Sequence, residues 1–266
     1  MAPNTISVAN FNMHAGVNGW GQRFDFVSAA KAIDADILVL EECFGEDGQP
    51  SQGRIVADVL GYQIYEVALG RLVVRERDAA THHRSWGPRP MVFGVFSAVL
   101  PERARLARRY LAGEVKSRKR GTISVAVLSR VPVRSHQIFE LPRLSRDKLV
   151  RHAIAIELEG EQPMFIVGTH LGHITHGSHK QMAFLGKRLG ELGGPAALVG
   201  DLNCWGPPVA LATRTRRGVL GRSWPSWGPH SQIDHVLLRG DVHAQSGEVL
   251  PATGSDHRPI RVILSY

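Results

Sequence analysis

Leu198-Val199-Gly200-Asp201-Leu202-Asn203 is the stretch on which the reading of this chain turns. An apolar run leads into a glycine, and a carboxylate and an amide follow two positions apart. Residues two apart on a strand point to the same face, so Asp201 and Asn203 can reach one small object together. Gly200 allows the backbone to approach that object closely. An acceptor-only carboxylate beside an amide that both donates and accepts suits a metal-bound phosphate and an attacking water. Taken alone, the stretch is equally a strand end running into a turn, and its weight comes from companions elsewhere in the chain.

The 266 residues, 43% hydrophobic, fit one large α/β domain spanning 1–266. No linker, repeat or compositional break divides them. The N-terminus enters a strand pattern at once, without a basic then apolar leader. The apolar run from Met91 to Leu100 is too short to cross a bilayer. A soluble monomer is expected. Two cysteines, Cys43 and Cys204, make no disulfide scaffold and point to a reducing cytoplasm. The net charge of +8 calls for an anionic partner: nucleic acid, phospholipid headgroups or another phosphate ester. Much of it lies in a basic insertion or loop near 100–121, where Arg103, Arg105, Arg108, Arg109, Lys116, Arg118, Lys119 and Arg120 face only Glu102 and Glu114. This segment is either a solvated basic face or a clamp on a phosphodiester backbone.

Periodicity predicts strands over Thr5–Asn12, Asp36–Leu40, Tyr62–Leu69, Met91–Leu100, Thr122–Ser129, Val133–Leu141, Leu149–Leu158, Met164–His170, Ala196–Leu202, Ile233–Leu238, Val242–Val249 and Pro259–Leu264. Helices are expected over Arg23–Ile33, Gln52–Leu60 and Ser178–Leu192, the last with Ser178 as its N-cap. His82–Pro90 reads as a polar loop. Glu41 and Glu42 should project to opposite faces of their strand, so that only one meets a site at its end. A layered α/β sandwich suits this order better than a doubly wound sheet.

Polar residues recur where these strands end. Six short blocks occur in order: Asn12; Leu40-Glu41-Glu42; Gly168-Thr169-His170-Leu171; Gly200-Asp201-Leu202-Asn203; Gln232-Ile233-Asp234-His235; and Ser255-Asp256-His257-Arg258-Pro259. In this order they resemble the endonuclease/exonuclease/phosphatase superfamily, the fold of deoxyribonuclease I and exonuclease III, in its histidine-bearing branch. The resemblance implies a four-layer α/β sandwich, two packed mixed β-sheets flanked by helices, with the site where strand ends and loops meet. It implies Glu42 as principal ligand of one Mg²⁺ or Mn²⁺, supported by Asn12 and Asp256 directly or through waters. Asp201 would orient or deprotonate the attacking water. Asn203 and His170 would donate hydrogen bonds to non-bridging phosphate oxygens. His257 would contact the phosphate or move a proton, with Asp234 holding its ring and favouring its charged form. Either Asp201 or His257 could be the general base.

The chain departs from the family in places. His14 stands where relatives often carry an acidic or amide residue that assists the metal, which leaves the exact metal open and makes His14 a candidate for a softer metal or for the substrate. The Tyr-x-Pro-Asn block of abasic-site endonucleases is replaced by Gly-Thr-His-Leu, against a housekeeping abasic-site repair role. His170, His173, His176 and His179 recur every third residue as a zinc site might, but a strand end, loop and helix start should splay them, leaving His173 or His176 to line the cleft. Trp205, Trp224 and Trp227 are either core packing or a stacking surface for a base or sugar. Arg118, Lys119 and Arg120 are the candidate backbone contacts. The expected function is a divalent-metal-dependent phosphoesterase, a nuclease or phosphodiesterase hydrolysing DNA or RNA by in-line attack of water. An inositol-phosphate or phospholipid phosphoesterase using the same metal site is the alternative.

Overall fold

The computed structural model describes residues 4–77 and 115–266. Two six-stranded mixed sheets pack face to face. The first has the order β11 (His243–Val249), β12 (Ile260–Ser265), β1 (Thr5–Asn12), β2 (Ile37–Glu46), β4 (Val115–Ser129), β3 (Gln63–Arg77). The second runs β5 (Val133–Glu140), β6 (His152–Leu158), β7 (Phe165–His170), β8 (Ala196–Asp201), β10 (Asp234–Arg239), β9 (Arg216–Arg217). Among the described residues, only β1–β2 and β7–β8 are parallel pairs.

The inner faces carry mostly β-branched side chains: Val8, Ile37, Val39, Val125 and Val127 on one sheet, Ile154, Ile156, Ile166, Val199 and Val236 on the other. Burying each such side chain is worth about 1.5–3 kcal/mol. The outer faces are apolar too, because helices cover them. Ala30 and Ile33 of α1 (Phe26–Ile33) and Val56 of α2 (Gln52–Leu60) pack on Phe11, Leu38 and Leu128. Met182, Leu185 and Leu189 of α3 (His179–Glu191) and Val209 of α4 (Gly206–Thr213) pack on Val167, Leu198 and Leu237. The expected four-layer sandwich is the observed one.

Several boundaries move for local reasons. Asp25 caps α1 by accepting from the Ser28 N–H, so the helix starts later than its apolar periodicity suggests. Ser178 occupies the N-cap position of α3 but makes no side-chain cap, and its hydroxyl is buried without a partner. The predicted strand at Met91–Leu100 and loop at His82–Pro90 lie outside the described residues, as does the Arg103–Arg109 part of the basic segment. Its remainder, 115–121, is no loop. It continues β4, paired to β3 through Leu72↔Gly121, Val73↔Arg120, Val74↔Lys119 and Arg75↔Arg118. Cys43 and Cys204 are free and belong to different outer cores.

Candidate active site

The topology itself gathers the polar blocks. Because β1 runs parallel to β2, Asn12 ends its strand beside Glu41. Because β7 runs parallel to β8, His170 ends opposite Asp201. The antiparallel β10 begins where β8 ends, which puts Asp234 in register with Asp201. Asp256 and His257 lie just ahead of β12, and the Ser255 hydroxyl ties them to β1 by donating to the Asn12 carbonyl at 2.7 Å.

One chain of contacts joins the set. Asn12 Nδ2 donates to Asp201 Oδ2 at 3.1 Å and lies 3.5 Å from Glu42 Oε1. Asp201 Oδ2 is 3.9 Å from His257 Nε2, which is 4.0 Å from Asp256 Oδ1. His257 Nδ1 donates to Asp234 Oδ2 at 2.9 Å, and Asn10 Nδ2 donates to the same carboxylate at 3.1 Å. Glu42 and Asp256, far apart in sequence, therefore share one site. Asn203 spends both amide hydrogens internally, on His170 Nε2 at 3.1 Å and the Leu171 carbonyl at 3.0 Å, so Oδ1 is what it keeps for water or substrate. His170 thus accepts at Nε2, while its Nδ1 is buried without a partner.

The electrostatics separate the roles of these groups. Burial, reinforced by Asp234, pushes Asp201 up to about 7. For His257, burial alone favours the neutral ring, but the Asp234 and Asp256 carboxylates outweigh it and hold the imidazole charged, well above its ordinary range. His170 goes the other way: burial first, then the charges of Arg151 and His257, keep it neutral. The Arg151 guanidinium sits in a buried ion pair with Asp147 at 2.8 Å and reaches the His170 carbonyl at 3.4 Å.

Glu41 and Glu42 do not divide as strand alternation predicts. Glu42 has φ +53°, at an irregularity in the β2–β4 register between Leu40 and Cys43. That turn lets both carboxyls meet the cluster. Glu41 is fully buried with neither oxygen hydrogen-bonded, and burial, with Asp234 and Asp201 nearby, raises it well above the carboxylate range. Gly200 makes this possible: at φ +150°, a Cβ there would sit 3.3 Å from Glu41 Oε1 and 1.8 Å from the Thr169 carbonyl.

Around Asp256 the mouth is lined by His14, whose Nδ1 lies 3.4 Å from Oδ1, and Trp224, whose Nε1 donates to Oδ2 at 3.4 Å. Trp224 thus holds a carboxylate by its ring N–H. Trp227 packs its ring on Trp20, centroids 5.3 Å apart, and a Cβ at Gly19 would overlap the Trp227 ring. Trp205, at the N-cap of α4, is 61% exposed. The histidine repeat splits rather than splaying throughout: His173 and His176 meet edge-on at 5.9 Å, while His170 lies buried with Asn203. Of the predicted backbone contacts, Lys119 is ion-paired to Glu46 at 2.9 Å and Glu76 at 3.6 Å; Arg118 and Arg120 are exposed on the opposite face. Sequence reasoning missed Trp20, Asn10 and Glu41. Glu41 stood inside a recognised block and Asn10 two positions before one, but Trp20 carried no motif.

The donor chemistry suits a hard divalent cation. Glu42 and Asp256 are oxygen donors at the open end of the cluster. Asn12 turns its carbonyl to the His14 N–H at 2.9 Å, so it braces the carboxylates through its amide. Asp201, Asp234 and His257 also bring ligand atoms within 4.8 Å of one another, but there the Asp234–His257 hydrogen bond occupies lone pairs that a metal would need.

A buried polar cluster across the ends of two packed mixed sheets, with helices outside both, is the architecture of deoxyribonuclease I-like proteins. The Endonuclease/Exonuclease/phosphatase family profile matches residues 9–257, and the chain belongs to this family, whose members are phosphoesterase hydrolases. Solved structures share the fold at low identity. An endonuclease/exonuclease/phosphatase from Beutenbergia cavernae is 18% identical, with 98% of this chain and 71% of that one covered and a TM-score of 0.62. A mannosyl-6-phosphatase from Bacteroides thetaiotaomicron is 17% identical, with 98% and 100% covered and a TM-score of 0.64. The human Nocturnin catalytic domain, solved with bound sulfate, is 18% identical, with 99% and 93% covered and a TM-score of 0.63. Among curated proteins, none matches this chain. No helix among the described residues is long and apolar enough to cross a membrane.

Proposed function

We propose that this protein is a divalent-metal-dependent phosphodiesterase that hydrolyses DNA or RNA by in-line attack of water. The observation that carries the reading is the unbroken contact chain from Glu42 through Asn12, Asp201 and His257 to Asp256. Glu42 and Asp256 would hold Mg²⁺ or Mn²⁺, which supplies positive charge to the phosphate and its leaving oxygen. Asp201 takes the proton of the attacking water; a group poised at about 7 is matched to that task. His257, kept charged by Asp234, donates from Nε2 to a phosphate oxygen as negative charge builds. Asn203 Oδ1 orients the water, and His170 fixes the Asn203 amide. The basic balance of the chain supports a polyanionic substrate.

The test is a substrate panel of oligonucleotide, inositol phosphate, sugar phosphate and sphingomyelin, each with Mg²⁺ and with chelator. Oligonucleotide cleavage that chelator abolishes and Asp201→Asn lowers at least about 10³-fold is expected. Turnover of another arm without oligonucleotide cleavage overturns the substrate. Full activity in Asp201→Asn overturns the mechanism.

A further inference from the structure

We infer that the outward face of the β3–β4 ribbon is a binding surface for a nucleic-acid backbone, separate from the catalytic cluster and built on Arg75, Arg118 and Arg120. The inference rests on the nucleic-acid reading above for its purpose, but not for its evidence, which is how the ribbon sorts its charges.

Paired residues of an antiparallel ladder share a face. The register Val73↔Arg120 and Arg75↔Arg118 therefore sets these residues on one side, and Val74↔Lys119 and Glu76↔Ser117 on the other. Burial alternates accordingly: Arg75, Arg118 and Arg120 are exposed, whereas Val74 is buried and Lys119 and Glu76 are half-covered. The inner side is charge-balanced. Lys119 meets Glu46 and Glu76, and Glu76 also accepts from Arg23 at 2.6 Å. The outer side is not balanced. Arg71 is matched by Asp47 at 2.6 Å, but Arg75, Arg118 and Arg120 have no carboxylate partner among the described residues. Arg75 and Arg118 stand directly opposite one another, an arrangement of like charges that costs stability in a free ladder.

An external anion relieves that cost. The three groups of the proposed surface are arginines, whose planar fork pairs with phosphate through two parallel hydrogen bonds. Along β4, Arg118 and Arg120 are separated by about 6.8 Å, so the surface is a row suited to a linear polyanion. A membrane surface fits less well, because the exposed apolar side chains of the described ribbon, Val73 and Val115, are short where an interfacial element inserts large ones. The sequence-level clamp is thus narrowed: Lys119 leaves it and Arg75 joins it.

Binding is measured with the full chain in an Asp201→Asn background, so that cleavage does not intervene. Fluorescence anisotropy of a labelled single-stranded oligonucleotide is titrated across salt concentrations. Replacing Arg75, Arg118 and Arg120 together by Gln is expected to weaken binding at least 10-fold at about 0.1 M salt. The slope of log K against log salt should become shallower by about 2, at roughly 0.7 per single-strand phosphate contact. The thermal midpoint should hold or rise, because like-charge repulsion is removed, and the corresponding Lys triple should regain only part of the affinity, because lysine keeps the charge without the planar fork. In the otherwise native enzyme, hydrolysis of bis(p-nitrophenyl) phosphate should be unchanged by the Gln triple. Unchanged affinity and slope overturn the inference. So does arginine-dependent binding to phosphatidylserine vesicles with oligonucleotide affinity unaltered. Arginine-dependent oligonucleotide binding by a protein that cleaves no nucleic acid sustains this surface and overturns only the proposed substrate.

Discussion

Asp234 grips His257 by Nδ1 at 2.9 Å, and this aims the other ring nitrogen at Asp201, 3.9 Å away. Neither residue is near the other in sequence, and neither has freedom to move: Asp234 is fully buried at the start of β10 and is held in turn by Asn10. The pair sets both the orientation and the charge of the imidazole, as a carboxylate does for a catalytic histidine elsewhere.

Breaking that pair should damage chemistry more than binding. Asp234→Asn keeps the shape but removes the charge that outweighs burial around His257. We expect kcat to fall about 10²–10⁴-fold with KM changed little, and the His257 titration, followed by NMR, to move down from its raised position. Near-native kcat in Asp234→Asn would show that the contact is structural only.

The buried acids give the metal-free protein a characteristic pH response. In the folded state burial, helped by Asp234, lifts Asp201 to about 7, Glu41 is held well above the carboxylate range, and Asp234 and Asp256 outweigh burial to raise His257. Above about pH 6.5 the unfolded chain has released these protons, so the folded state binds more of them and loses stability as pH rises. Each extra proton contributes a slope of about 1.4 kcal/mol per pH unit. Below that window His170 and His235, which burial keeps neutral, oppose the trend because they are protonated only on unfolding. Thermal melts in chelator should therefore fall from pH 6.5 to 9, and Asp201→Asn should flatten the decline near 7. A midpoint constant or rising across that range contradicts the assignment.

Gly200 is the tightest steric requirement of the site. Its φ of +150° and the 1.8 Å approach of a Cβ to the Thr169 carbonyl leave no room for a side chain between β7, β8 and Glu41. Gly200→Ala should cost roughly 2–5 kcal/mol in urea unfolding, from backbone strain and overpacking together. A loss below about 1 kcal/mol would mean that the strands part easily there, and that the site is less rigid than its packing implies.

Much of the sandwich was legible in the linear chain because burial leaves a local trace. Apolar runs such as Ile37–Leu40 and Ala196–Val199 are buried on both faces, and the inward residue of each block sits at a strand end whose polarity breaks the run. The identities of Asn12, Glu42, Asp201, Asn203, Asp234 and His257 were likewise available, since each block keeps its own short pattern.

What the chain could not express locally is anything set by pairing register or by a neighbour. The left-handed turn at Glu42 brings two adjacent carboxyls into one cluster, although alternation alone sends them apart. Lys119 and Arg120 are neighbours in a basic run, but opposite faces of a ribbon give one a glutamate partner and leave the other to solvent. Trp20 bears no motif and finds Trp227 only through folding. Residue order by itself determined the fold class and the polar groups of the candidate site, because periodic burial and short motifs are local properties. Tertiary structure alone decided which groups are charged, which are neutral and which way each points, because those depend on desolvation and on charges from distant strands.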